Sequence, residues 1–315
     1  MGEILIGVSA CLLGEQVRYD GGHKRNVFLL EELARHVRFL PVCPEVGIGL
    51  GVPREPIRLV RRDGEERLVG ESGADHTHAM RTWAAATATD LRERDLSGFV
   101  LKKGSPSCGL ERVKVWHERS ERPSPEGRGM FARVLADELP GLALEEEGRL
   151  NDAGLREHFV DRVFGHARVR DFFAAGWSAD DLLHFHAAEK VAVLAHDPEI
   201  ARELGRLVAA QRELAPEALA VRYRELHAAA FARRATRGRQ ANALMHLAGH
   251  LKDTLGSDDR RELRDAIEDY RAGLVPVAVP LALLSRHLRA TEADWARSQS
   301  YLKPYPKELG LRGRI

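Results

Sequence analysis

The apolar pattern of this chain changes period once, near residue 152, and that change demands two kinds of architecture in one polypeptide. Before it, β-type runs alternate with helical ones. EILIGVSA, RFLPVC and LSGFVLKK read as core strands, with ERVKVWHER and GLALEEEGRL as further short strands. NVFLLEELARHV (Asn26 as N-cap), THAMRTWAAATATDLRERD (Asp75 or Thr77 as cap) and GMFARVLADELP (stopped by Pro140) carry helical spacing. PIRLVRRDGEERLVG reads as a hairpin around Arg62-Asp63-Gly64. Such alternation predicts an α/β domain, a mainly parallel sheet with helices on its faces. Beyond residue 152 every segment runs at the helical period, with Ser178, Pro198, Pro216, Gly238 and Ser257 punctuating the helix starts. The expected organisation is an α/β domain over residues 1–165 and an all-α domain over residues 166–315.

Composition narrows the function classes. Apolar content of 44% and charged content of 30% over 315 residues describe a soluble globular protein. The net charge of +1 creates no global field for nucleic acid, so a basic surface must be local. No apolar run reaches membrane-spanning length. The N-terminal stretch lacks the basic n-region and long apolar core of a signal peptide, so a cytoplasmic location is expected. The odd count of three cysteines argues against a disulfide framework and fits a reducing compartment.

Those cysteines share a setting. Cys11 follows LIGVSA, Cys43 follows RFLPV, and Cys108 follows FVLKKGSPS, so each stands at or just past the carboxyl end of a predicted core strand. In an open α/β sheet those ends share the ligand-binding edge. Three thiolates converging there are soft ligands for iron–sulfur clusters, zinc or copper(I). A [4Fe-4S] cluster usually takes four cysteines, so three leave one iron with an open position. Zinc would need a fourth ligand from His23, His76 or His78, and no CxxC pair is present. Ordinary buried packing is the bland alternative for any one cysteine. Beside the thiols stand Glu45, two residues past Cys43, and Ser105 and Ser107, flanking Pro106. A carboxylate near a metal-bound substrate is placed to act as a general base on water. A serine there would donate a hydrogen bond, relay a proton, or only shape the turn. Arg18, Tyr19, Asp20 and His23 form a polar loop on the same expected edge.

The stretches SACLLGEQVRYDGGHK, VCPEVGIGLGVPREPIRL and KKGSPSCG resemble the DUF523 family, whose characterised members are thiouracil desulfurases; the likeness covers roughly residues 3–165. FHAAEKVAVLAHDP, RGRQANALMHLAGHLK and VPVAVPLALLSRHL resemble DUF1722, a domain that often follows it in one chain. The resemblance implies a [4Fe-4S] cluster held by Cys11, Cys43 and Cys108. One iron, not ligated by cysteine, would take the thiocarbonyl sulfur of a thiolated pyrimidine. It also implies Glu45 as the catalytic carboxylate and a catalytic serine within GSPS, Ser105 favoured over Ser107. The implied reaction releases hydrogen sulfide from 2- or 4-thiouracil, leaving uracil, without net redox change.

Competing readings are a zinc hydrolase with a three-cysteine site and a cluster-bearing redox sensor or RNA-binding adaptor. The adaptor rests on Arg222, Arg224, Arg233, Arg234, Arg237 and Arg239, which could track phosphates but read more simply as solvated helix faces. Nucleic acid is therefore not the favoured partner. His184, His186, His196, His246 and His250 invite a second metal site, with His246 and His250 one helical turn apart. No HExxH pattern completes it. Oligomeric state and the role of the helical half are not legible.

Overall fold

The structure is a computed structural model that describes residues 2–117, 120–291 and 294–313. It divides into two compact units, Glu3–Phe159 and a second that joins Gly2 to the residues from Val160 onward.

Among the described residues the first unit holds eight strands: β1 (Leu5–Ser9), β2 (Arg38–Val42), β3 (Ile57–Arg62), β4 (Glu65–Gly70), β5 (Gly98–Leu101), β6 (Val113–His117), β7 (Ser120–Gly127) and β8 (Ala143–Glu146). They form two four-stranded sheets, one of them the parallel sheet expected. The first is wholly parallel in the order β2-β1-β5-β8. Its central strands are buried on both faces, which is why LIGVS and GFVL read as unbroken apolar runs instead of alternating ones. The chain moves from β1 to β2 on one side, then returns through β5 to β8 on the other. The crevice outside the carboxyl ends of β1 and β5 is thus a topological switch point.

The second sheet, β4-β3-β6-β7, pairs the expected hairpin β3–β4 with β6 and β7. Asp63 and Gly64 both take positive φ at its tip, the conformation a tight two-residue hairpin turn requires. Sequence pattern missed β7, because Pro123 and Pro125 cannot both serve a central ladder. The strand is nevertheless tolerated at the sheet edge, where a missing N–H costs little. Glu118 and Arg119, the end of the expected ERVKVWHER strand, lie outside the described residues.

Among the described residues these sheets are accompanied by the helices α1 (Pro44–Gly47), α2 (Thr77–Glu93) and α3 (Met130–Glu138). The helix expected over NVFLLEELARHV is instead a π turn, Phe28–Glu32, followed by a 3₁₀ turn, Leu33–Arg35. Asn26 Oδ1 does accept the Leu29 N–H at 3.0 Å, so the cap is present although the helix it starts is short. Asp75 Oδ1 accepts the Thr77 N–H at 2.9 Å at the start of α2. A core of Leu59, Leu68, Met80, Ala84, Phe99, Val115, Phe131 and Leu135 joins strands of both sheets to α2 and α3. Phe131 meets Phe99 edge-on at 5.7 Å and Trp83 at 5.6 Å. Each such buried ring stabilises the fold by about 1.5–3 kcal/mol.

The second unit is all-helical. Its helices are α4 (Ala153–Ala174, which begins in the first unit), α5 (Ala179–His196), α6 (Pro198–Ala209), α7 (Pro216–Ala232), α8 (Arg237–Gly249), α9 (Ser257–Ala272), α10 (Ala278–Arg289) and the single turn α11 (Asp294–Arg297). Ser178 caps α5 in a reciprocal box with Asp181, and Pro198 and Pro216 occupy first turns as expected. The last predicted helix, PLALLSRHLRATEADWARSQSYL, is broken into α10, α11 and a 3₁₀ turn; Glu292 and Ala293 lie outside the described residues. No described helix is long and apolar enough to cross a membrane.

Candidate active site

Cys11, Cys43 and Cys108 follow β1, β2 and β5, three adjacent strands of the parallel sheet, and all three line one cavity of about 430 Å³ at its carboxyl edge. Local structure places each one. Cys11 lies in a 3₁₀ turn, Ala10–Leu13, that ends at Gly14 with φ of 96°. Cys43 stands extended before α1, where Pro44 fixes the first helical φ. Cys108 ends the GSPSC turn. There the Ser105 hydroxyl accepts the N–H groups of Ser107 at 3.2 Å and Cys108 at 3.1 Å. That turn rests on the start of α3, whose Met130, Phe131 and Ala132 N–H groups bond the carbonyls of Pro106 and Ser107. Gly129 makes the approach feasible, since a Cβ there would lie 2.4 Å from the Ser107 carbonyl oxygen.

All three cysteines are free thiols. Burial, reinforced by the Glu45 carboxylate, pushes Cys11 up to about 11 and Cys43 up to about 12. Cys108 is raised well above the ordinary thiol value by burial first and Glu45 second, and it also feels Cys11 and Cys43. Without a ligand the site therefore holds three neutral thiols. A ligand must displace their protons to bind.

Glu45 sits in α1 at the centre of this group. Its Oε1 accepts the Ser107 hydroxyl at 2.8 Å and the Ser105 hydroxyl at 3.3 Å. Its Oε2 accepts the Cys43 thiol at 3.4 Å and lies 4.0 Å from the Arg54 guanidinium. The two serines, equivalent in sequence, separate here. Ser105 lines the cavity, whereas Ser107 is fully buried behind Glu45. Arg18, Tyr19, Lys24, Arg54, Lys102 and Lys103 also line the cavity, so it is cationic around its acids Glu45 and Glu55. Sequence reasoning singled out neither Arg54 nor the lysines. The signal was present in GVPREP and VLKKG, but bare lysines and arginines in loops do not announce a shared wall.

The donor set fits an iron–sulfur cluster. Three soft sulfurs face one cavity and sense one another electrostatically, and the wall carries positive charge to offset an anionic ligand. Among the described residues, no three His, Cys, Asp or Glu side chains are grouped as a single ion would need. His23, His76 and His78 are not among the residues that line the cavity. Asp75 is a turn-former paired with Arg67 at 3.6 Å.

The other histidines and arginines that the sequence singles out lie in the helical unit. His196 Nδ1 is 2.7 Å from the Arg233 carbonyl and its Nε2 is 3.0 Å from Asp161. His186 Nδ1 is 3.2 Å from the Tyr223 hydroxyl, and burial lowers its pKa to about 4. His246 and His250 meet edge-on with ring centroids 5.5 Å apart, and Trp295 lies 4.4 Å from His250. His184 is exposed. Of the arginines, Arg222 pairs with Glu203 and Glu225, Arg233 with Asp197, and Arg239 with the His196 carbonyl, while Arg224 lies over the Phe173 ring.

Comparison with known proteins adds sequence evidence to this geometry. The family model described as 2-thiouracil desulfurase matches residues 6–147, and that described as protein of unknown function (DUF1722) matches residues 190–306. The Bacillus subtilis (strain 168) protein YbbK is 34% identical over 154 residues, 47% of this chain and 99% of that protein. The Escherichia coli (strain K12) protein YbgA is 26% identical over 152 residues, 48% of this chain and 90% of that protein. A solved structure of the [4Fe-4S]-dependent thiouracil desulfidase TudS is similar at 36% identity over 48% of this chain and 95% of that one, with a TM-score of 0.40. With a relative of 34% identity spanned almost end to end, this chain belongs to the 2-thiouracil desulfurase family through residues 6–147, and carries a DUF1722 region after it.

Proposed function

We propose that the first unit is a [4Fe-4S]-dependent desulfurase that converts a thiolated pyrimidine, 2- or 4-thiouracil, and water into uracil and hydrogen sulfide. One observation carries this reading: three thiols from three adjacent strand ends face one cavity with the hydrogen-bonded carboxylate of Glu45 among them. Cys11, Cys43 and Cys108 would hold the cluster, which supplies an iron free of cysteine as a Lewis acid for the thiocarbonyl sulfur. Three thiols on one cavity with a cationic wall suit such an anionic cluster, so the zinc hydrolase reading is not favoured. We place the protein in the reducing cytoplasm, where three unpaired thiols persist.

The chain's own residues supply the rest. When Cys43 gives up its proton to become a ligand, its hydrogen bond to Glu45 Oε2 disappears. That oxygen is then open to take a proton from the water that attacks the ring carbon. Ser107 holds Oε1 from behind, so the carboxylate keeps its direction through the transfer. Ser105 faces the cavity and is placed to donate a hydrogen bond as the proton moves. Arg54 is tied to the Val17 carbonyl at 2.9 Å and keeps positive charge near Oε2. The whole reaction moves protons and exchanges one sulfur for the oxygen of water, with no net electron transfer.

The direct test uses the full chain, reconstituted without oxygen and given 2- or 4-thiouracil. Uracil and hydrogen sulfide should form in equal amounts. Glu45→Ala should keep its iron and lose turnover. A loaded protein that forms neither product, or a Glu45→Ala variant with full turnover, contradicts the assignment.

A further inference from the structure

The strand β8 ends in Glu145 and Glu146, and Glu146 together with the next residue, Glu147, clamps the segment that carries Cys108. Glu146, nearly fully buried, accepts the N–H groups of Leu110 at 2.7 Å and Glu111 at 3.3 Å, just past the cysteine. Glu147 holds the other end. Its Oε1 bonds the Lys102 ammonium and its Oε2 accepts the Lys103 N–H at 2.6 Å. The Lys102 backbone N–H bonds the Ser9 hydroxyl at 3.0 Å, at the end of β1. Lys102 is thereby fixed at its backbone and at its tip.

The pair is partly buried, with the Lys102 side chain 17% exposed and the Glu147 side chain 14% exposed. Desolvating such a pair costs free energy that a surface pair would not, so packing alone is a weak reason to keep a cation there. An ammonium carries three donors. Among the described residues two are used, on Glu147 and on the Lys103 carbonyl at 3.0 Å. The third remains for whatever occupies the cavity that Lys102 lines with the three cysteines. The other cations of that wall are differently committed. Arg54 is engaged by the carbonyls of Val17 and Gly51 and by Glu45, and Arg18 lies 3.5 Å from Asp20 and over the Tyr19 ring. Lys24 and Lys103 are exposed to screening water.

We infer that Lys102 is the cation that binds negatively charged sulfur at the three-cysteine site, and that Glu147 is the positioning residue that aims it. The inference rests on the desulfurase reading. The anion is either sulfide already in the cluster or the sulfur released from substrate; both are soft, negatively charged sulfur, and both gain from an ammonium fixed in a partly buried site.

The test compares wild type, Lys102→Met, Lys102→Arg and Glu147→Gln, all full-length and reconstituted without oxygen. Iron and sulfide content, the cluster's reduction potential and the affinity for added sodium hydrosulfide are read for each. Lys102→Met should keep its iron and bind hydrosulfide about tenfold or more weakly, the loss expected for one charge-assisted hydrogen bond. Lys102→Arg should recover most of that affinity, and Glu147→Gln should fall between. Unchanged hydrosulfide affinity with a reduction potential shifted negative in Lys102→Met assigns the contact to cluster sulfide and still supports the inference. Iron-loaded Lys102→Met that matches wild type in both readouts overturns it. A wild type that takes up no iron overturns the desulfurase reading itself, a separate and recognisable outcome.

Discussion

The Ser107 hydroxyl donates to Glu45 Oε1 across 2.8 Å from a side chain with no exposed surface, while Ser105, two residues earlier, reaches the same oxygen at 3.3 Å from the cavity wall. One serine thus orients the carboxylate from behind. The other faces the cavity and builds the turn that presents Cys108.

That division predicts opposite phenotypes. Ser107→Ala should retain iron and lower kcat by about tenfold to a hundredfold, because the carboxylate loses a charge-assisted hydrogen bond worth about 1.5–3 kcal/mol. Ser105→Ala frees the N–H groups of Ser107 and Cys108, so it should lose iron on dilution before it loses intrinsic turnover. Iron content and kcat per iron, measured for both variants, decide the matter; identical behaviour would refute the division.

Gly129 lies where the Cys108 turn presses on α3, and a Cβ there would sit 2.4 Å from a backbone oxygen that cannot rotate away. Gly129→Ala should destabilise the first unit by about 1–3 kcal/mol, a typical overpacking cost, and reduce iron uptake. Thermal unfolding with parallel iron analysis checks both.

The raised thiol pKa values fix an alkaline limit for the metal-free protein. Cys11 and Cys43 rise from 9.0 to about 11 and about 12 on folding, through burial first and Glu45 second. A folded state that binds a proton more tightly than the unfolded one keeps that stabilisation below pH 9.0 and loses it as pH climbs through the folded values. Denaturant midpoints of metal-free protein should fall between about pH 9 and about pH 11 by more than those of a triple Cys→Ser variant. Equal slopes would contradict the burial of these thiols.

In the helical unit, Glu189 is buried between Arg168, at 2.7 and 3.1 Å, and His227, at 3.2 Å. Glu189→Ala leaves the Arg168 guanidinium uncompensated and should cost about 3–5 kcal/mol. Acid should weaken the same unit. Burial lowers His186 from 6.5 to about 4 and lowers His227 as well, so both fold as neutral rings. Stability present above pH 6.5 is lost as pH falls toward about 4. Calorimetry from about pH 7 to about pH 4 reads this as a falling Tm for the transition that Glu189→Ala displaces. A Tm that holds constant over that range would contradict it.

Much of the site was legible because Cys11 and Cys108 follow apolar runs buried on both faces, the mark of central parallel strands, while Cys43 follows the short edge strand β2. Glu45 was legible by its distance from Cys43. The two serines were not separable, since which hydroxyl is buried depends on α3 packing beneath the turn. The clamp by Glu146 and Glu147 was invisible, because a polar run after a strand reads as the strand's exposed end and its partners lie 36 and 45 residues away in sequence. The second sheet was hidden by the prolines of β7. The π turn at Phe28–Glu32 stands where helical spacing was unmistakable, so there the local pattern was followed only in its cap.

The central claim is that Cys11, Cys43 and Cys108 together hold one [4Fe-4S] cluster. Iron and acid-labile sulfide, counted per chain in anaerobically purified protein beside a Cys108→Ala control, test it most directly. The account predicts about four of each in the wild type, with a broad visible absorption, and loss of both in the control. Zinc in place of iron, or an iron content that Cys108→Ala leaves intact, would contradict it.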